Sequence, residues 1–207
     1  MTDFDAQTHW ETVYKSKGEA DVSWFEETPA LSIKLLQTAG LASGMAVIDV
    51  GGGASRLVDA LAQSDNLEIT VLDLSAAALE RARARISNAH GVKWIVSNVT
   101  AWMPDKKYDL WHDRAAFHFL TSTEERSAYV SVMGETLKES GKAIIGTFAA
   151  DGPEKCSGLP VTRYEPDELA SILSPKFRLL TTERHQHHTP WDSVQNFQFS
   201  IFEKVEE

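Results

Sequence analysis

The chain has 207 residues, 43% of them hydrophobic, which suits one domain with a substantial core. Acidic residues outnumber basic ones 30 to 20, for a formal net charge of -10, and no basic run is present to track a phosphate backbone, so nucleic acid is not an expected partner. The single cysteine, Cys156, rules out an internal disulfide and a cysteine-rich metal cluster; without a signal-like start or an apolar run of roughly 20 residues, a cytoplasmic location and no membrane contact are expected.

In chain order, short strand-like runs alternate with longer helix-like ones, the rhythm of a parallel sheet with crossover helices. A first helix is expected over about Thr8–Lys17. A second starts where Thr28 can cap and Pro29 can occupy the first turn, and it stops at Gly40. Met45–Val50 reads as the first core strand, Arg56–Gln63 as a helix and Leu67–Leu72 as the second strand, with Ser75 capping the helix after it. Val92–Val96 and Tyr108–Trp111 supply two further strands, His112 ending the second of them. Ser122 and Glu125 have capping-box spacing at the head of a helix expected to run to Gly141. Lys142–Phe148 is a fifth strand, and a helix lies near Pro166–Leu173. Phe177–Gln186 and Val194–Phe202 then form two adjacent strands that are naturally antiparallel. The expected fold is α/β: a doubly wound, mostly parallel seven-strand sheet with an antiparallel C-terminal hairpin. It forms a single domain over residues 1–207, with 1–40 as an N-terminal helical cap and 41–207 as the Rossmann-like core.

The most informative stretch is Val47–Arg56, where a strand runs into Gly51, Gly52 and Gly53 and then into a helix. Three residues without a Cβ let the backbone approach a ligand. Asp73 ends the next strand 22 residues beyond Gly51, near the roughly 20 expected of an acid that grips ribose hydroxyls. A dinucleotide fingerprint would place its third glycine where Arg56 stands. Asp49, just before the loop, is poor company for pyrophosphate but suits a cofactor carrying an ammonium and a sulfonium.

With these residues in place, the sequence resembles the class I S-adenosylmethionine-dependent methyltransferases. DVGGGASR is similar to their first motif, VLDLS to the second and SNVTAW to the third. The resemblance implies that S-adenosylmethionine lies across the C-terminal ends of the first strands. Gly51 and Gly53 would then lie beneath its methionine and ribose, Asp73 hold the ribose, Leu74 pack on adenine, and Asn98 with Val99 border the base. Asn98 stands where many relatives carry Asp, and its carbonyl oxygen can still accept from the adenine amino group. A narrower group shares the pattern HWETVYKSK…VSWF. In that group aromatic residues close over the methionine end, which here implicates Trp10, Tyr14 and Trp24; the same residues could equally pack the first helix onto the sheet.

On the acceptor side, methyl transfer needs alignment and exclusion of water more than a catalytic group. If a base is needed, His118 and Asp113 follow the fourth strand, with Arg114 placed to fix Asp113; His118 also reads as a histidine buried between Phe117 and Phe119. The long loop Asp151–Tyr164 has the place of a lid, bringing Cys156, Arg163 and Tyr164 toward substrate. The run His185–His188 reads as a solvated strand end with His187 toward the acceptor, and no metal site is expected. The expected activity is S-adenosylmethionine-dependent methyl transfer to a small molecule, a thiol or other soft nucleophile. Protein-lysine methylation and NAD-dependent oxidation are the alternatives.

Overall fold

The computed structural model describes residues 5–64, 66–86 and 91–205. Its elements follow the alternation in the sequence. They are α1 (Ala6–Ser16), α2 (Ala30–Thr38), β1 (Ala46–Val50), α3 (Leu57–Leu61), β2 (Glu68–Asp73), α4 (Ala76–Arg85), β3 (Val92–Val96), β4 (Tyr108–Arg114), α5 (Thr123–Thr136) and β5 (Leu137–Phe148). A small ribbon, β6 (Lys155–Cys156) and β7 (Leu159–Pro160), precedes α6 (Pro166–Leu173), β8 (Phe177–His188) and β9 (Val194–Lys204).

The main sheet has seven strands in the order β3-β2-β1-β4-β5-β9-β8. β3, β2, β1, β4 and β5 run parallel, while β9 is antiparallel to both β5 and β8, so the C-terminal hairpin closes one side. All five residues of β1 are buried, as expected of a central strand covered on both faces. One face packs Ile48, Trp111, Ile145 and Phe202 against α5 and α6 residues such as Met133 and Leu169. The other packs Val47, Val71, Leu110 and Ile144 against Leu36, Leu57 and Leu79. The chain leaves β1 toward β2 on one side, and β4 enters on the other. That reversal opens a crevice at the C-terminal ends of β1 and β4, where open α/β sheets bind ligands.

Local signals mostly act as read. The Ser75 hydroxyl accepts from Ala78 N–H to cap α4, and Ser122 with Glu125 forms a reciprocal capping box on α5. Three of the differing boundaries have a clear local cause. Thr28 does not cap α2; Pro29 takes the N-cap position with no side-chain cap. β4 continues through His112 to Arg114, because its whole length pairs with β1 or β5. Helix α5 ends at Thr136 rather than Gly141. Leu137 already pairs with Tyr108, and the register then shifts before Lys142 pairs with Leu110. Gly141 sits in that irregularity, where an added Cβ would meet Lys138 O at 2.8 Å. The glycine thus marks an uneven strand start, not a helix end. The β6–β7 ribbon inside the long loop is an addition that the sequence did not announce.

Candidate functional site

The crevice at the sheet's switch point opens into a cavity of about 740 Å³. That is within the range of pockets that enclose small ligands, roughly 300–1,000 Å³. Its floor is the turn after β1. Gly51 and Gly53 have φ of +65° and +48°, a region that side-chain-bearing residues rarely adopt. A Cβ on Gly51 would lie 2.6 Å from the Ala116 methyl, and one on Gly53 would lie 2.7 Å from Tyr14 Oη and 3.2 Å from Asp73 Oδ2. Gly52 is blocked by Asp49 Oδ2 at 2.6 Å and Val71 Cγ1 at 2.7 Å, so the run of three is fixed by close packing at every position.

Asp73, at the end of β2, lines the cavity and accepts from Ser75 N–H at 2.8 Å. Burial pushes its carboxyl up to about 7 despite that bond, and the nearby Asp49 charge adds to the rise. Leu74, Asn98 and Val99 continue the wall beside it. The Asn98 carbonyl oxygen already accepts from Thr100 N–H at 3.0 Å and from Thr100 Oγ1–H at 2.9 Å, capping a short 3-10 turn. The acceptor role suggested for that oxygen is therefore occupied within the protein.

Asp49 lies under the glycine loop rather than on the wall. Its Oδ1 is 2.7 Å from His112 Nδ1, and His112 Nε2 is 3.0 Å from Ser32 Oγ, so a buried chain of polar groups ties β1, β4 and α2 together. Asp49 Oδ2 has no hydrogen-bond partner among the described residues. The sequence reading gave His112 no role; its Asp49 partner on the neighbouring strand becomes visible only with the parallel β1–β4 register.

The opposite wall is aromatic. Trp10 meets Trp24 edge-on at 5.7 Å and Phe119 at 5.0 Å, and Tyr14 meets Trp24 at 6.2 Å, all four residues lining the cavity. Packing of the N-terminal helix and closure of the cavity are thus done by the same rings. What fixes this helix is Glu11, whose Oε2 accepts from Ser75 Oγ–H at 2.8 Å and Ala77 N–H at 3.1 Å, at the head of α4. Those bonds hold its carboxyl down to about 2, as a charge at a helix N-terminus should be held. Arg56, in the place of a third glycine, pairs with Glu19 at 3.0 Å and secures the same N-terminal segment.

Several predicted acceptor-side residues lie elsewhere. Asp113 is fully buried, accepting from Ala116 N–H at 2.9 Å and from Tyr129 Oη–H at 2.7 Å, and burial lifts its carboxyl to about 6. Arg114 does not fix Asp113; it pairs with Glu26 at 3.2 Å. His118 sits behind the wall between Phe119 and Phe148, with ring centroids 4.6 and 4.7 Å away. Its Nδ1 accepts from Phe148 N–H at 3.3 Å, and burial takes its pKa down to about 3. Tyr164 packs in the core against Phe117, and Arg163 braces the loop through Gly152 O and Glu154. Cys156 does reach the cavity, from the β6–β7 ribbon, with its thiol pushed up to about 11 by burial. A thiol so protonated is a wall group rather than a nucleophile. His187 lies beside Glu26, its Nδ1 3.4 Å from Oε1, and its Nε2–H donates to Ser23 O at 2.6 Å.

A family model described as a methyltransferase domain matches residues 47–141, from β1 through the irregular start of β5. Malonyl-[acyl-carrier protein] O-methyltransferase 1 of Ilyobacter polytropus is 25% identical over 162 residues, covering 73% of this chain and 59% of its own length. A second such enzyme from that organism is 21% identical, covering 73% and 61%. The chain therefore spans about three-fifths of the length of these curated relatives. Among solved structures, the N-methyltransferase NodS of Bradyrhizobium japonicum in complex with S-adenosyl-l-homocysteine superposes with a TM-score of 0.74 at 15% identity, covering 98% of this chain and 100% of that one. An Anabaena variabilis SAM-dependent methyltransferase gives 0.75 at 13% identity, covering 98% and 96%. Sheet order, glycine turn and acid-lined crevice accompany this match: over residues 47–141 the chain is similar to a methyltransferase domain, and its fold is that of the solved methyltransferases.

Proposed function

We propose that this protein transfers the methyl group of S-adenosylmethionine to a small acceptor enclosed in the crevice cavity. One observation carries the reading: a single cavity is lined by Gly51, Asp73 and Asn98 and also by Arg114, Cys156 and Phe197. Donor and acceptor can therefore meet inside one walled space. The donor fits because the turn at Gly51 borders that space without a side chain and a buried acid, Asp73, lines it.

When bound, the cofactor supplies a methyl carbon activated by positive sulfur. Asp73 accepts from vicinal ribose hydroxyls, and Leu74 and Val99 give the adenine an apolar slot. Asp49, beneath the loop, adds a fixed negative charge that favours a cationic donor over pyrophosphate. Trp10, Tyr14, Trp24 and Phe119 exclude water and hold the methionine end, which is most of what an in-line displacement asks of a protein. Asp113 and His118, buried behind the wall, are assigned supporting roles, not proton transfer.

Among the relatives, two are named as O-methyltransferases of malonyl-[acyl-carrier protein] and one as an N-methyltransferase, so oxygen and nitrogen acceptors belong in the first screen alongside the thiols expected from the sequence. Protein-lysine transfer and NAD-dependent oxidation gain no support from these likenesses. The test is calorimetric titration with S-adenosylmethionine, S-adenosylhomocysteine and NAD, followed by an acceptor screen read by S-adenosylhomocysteine release. Binding of NAD without either adenosyl compound would refute the reading.

A further inference from the structure

Arg114 is the basic residue of the cavity wall, in a chain of net charge -10. It closes β4, at the end of the sheet where donor and acceptor are brought together, and its side chain is only 12% exposed. Such a cation must be paired, because burial without a partner costs several kcal/mol. Its Nη2 donates to Trp24 O at 3.0 Å and lies 3.2 Å from Glu26 Oε1, while the guanidinium carbon stands 5.9 Å from the Phe197 ring centroid. No described residue accepts from Nε or Nη1. One of the three guanidinium nitrogens is thus committed to the protein, and the other two are left to donate.

The counter-charge is divided as well. Glu26 Oε1 also faces His187 Nδ1 at 3.4 Å. Burial alone would raise the Glu26 carboxyl, but the His187 contact and the Arg114 charge outweigh it and hold it below its ordinary range. Burial lowers the Arg114 pKa from its ordinary value, while the Glu26 and Asp49 charges act to raise it. Glu26, His185 and His187 offer one ligand atom each within 4.8 Å, a donor set that a divalent metal could use. Arg114 already engages that carboxylate, however, and a dication would lie against a buried guanidinium. What the cluster lacks is an anion.

We propose that Arg114 is the binding site for a carboxylate on the methyl acceptor, so that the substrate class is small carboxylic acids. This rests on the methyl-transfer reading above. Arg carries a permanent charge and several donors that suit a carboxylate, and Nε and Nη1 of Arg114 are each left to donate one bond. Glu26 and Trp24 O hold Nη2 and act as positioning groups. Apolar neighbours Phe148 and Phe197 on the same wall strengthen the charge contact by excluding water. Among the described residues the wall presents no imidazole, and a carboxylate, already ionised at neutral pH, requires no base to free a lone pair.

The test uses the full chain loaded with S-adenosylhomocysteine. Three-carbon to eight-carbon aliphatic acids and benzoic acids, each paired with its primary amide, are titrated by ligand-observed NMR, and the same pairs are run with S-adenosylmethionine for turnover. At least one acid is expected to bind tenfold or more tightly than its amide. Arg114→Gln is expected to erase that preference, and Arg114→Lys to retain only part of it, with the S-adenosylmethionine Kd within about twofold of wild type in both. Equal binding of acids and amides, or an acid preference that survives Arg114→Gln, overturns the proposal. Loss of cofactor binding in both variants also overturns it, because Arg114 would then be a structural brace. Wild-type protein that does not bind S-adenosylmethionine at all would instead refute the methyl-transfer reading.

Discussion

Replacing Asp73 with Asn should separate stability from cofactor binding. The Asp73 carboxyl is pushed from its ordinary 3.8 to about 7, first by burial and then by the Asp49 charge. The native state therefore holds this proton more tightly than the unfolded chain does. Its contribution is intact below about pH 4 and is lost as pH rises toward 7, above which the penalty is constant. At 1.36 kcal/mol per pH unit, the full penalty is roughly 4 kcal/mol. An Asn amide keeps one acceptor oxygen for Ser75 N–H but turns a donor toward the other backbone N–H groups near Asp73, costing about 1–3 kcal/mol. The net is a gain of roughly 1–3 kcal/mol at pH 8, or a Tm raised by about 2–12 °C for a chain of this size, shrinking to nothing or reversing at pH 4. Cofactor affinity should move the other way. Losing a charged acceptor for a ribose hydroxyl costs about 1.5–3 kcal/mol, a Kd increase of roughly 10- to 150-fold. Melts of both proteins without cofactor from pH 4 to 8, with calorimetric titration of S-adenosylmethionine at pH 8, read both effects. A variant that melts lower than wild type at pH 8 would show that the backbone donors already stabilise the ionised carboxylate. Unchanged affinity would show that the ribose is held elsewhere.

Gly53→Ala should cost about 1–3 kcal/mol from its positive φ and its approach to Tyr14 Oη, and should weaken S-adenosylmethionine binding more than tenfold; retention of wild-type affinity would remove the glycine turn from the site. Glu11→Ala removes a cap on α4 and should lower stability by about 1 kcal/mol, with a rise in cofactor Kd that is absent from a control substitution at the exposed Lys15. His118→Gln should lower Tm by several degrees, through repacking between Phe119 and Phe148, yet leave kcat within a few fold and the pH–rate profile unshifted. A thousandfold loss of kcat with a normal melt would restore His118 as a base.

The glycine-turn side of the cavity was legible because it is built from local rules. A strand ending in glycines and a second strand ending in an acid are patterns of sequence spacing, and Gly51, Gly53 and Asp73 lie where those patterns placed them. The acceptor half depends on which residues distant in sequence become neighbours. Asp113 and His118 look like acid and base in a string of letters; strand pairing and the turn after β4 bury them, while Arg114 between them stays partly open. Glu26 and Arg114 are 88 positions apart and His187 lies on another strand, so no spacing rule brings them together. Helix α5 was drawn too long for a related reason: Gly141 looks like a stop, but pairing between Leu137 and Tyr108 had already ended the helix.

The bond from Glu11 to Ser75 and Ala77 links more than two helices. Trp10 is one residue before Glu11, and Asp73 is two residues before Ser75, so the aromatic wall and the buried acid are joined through a single carboxylate. A shift in the turn after β2 when ribose arrives would carry the indole with it. The grip on one end of the donor and the shielding of the other would then respond as one mechanical unit.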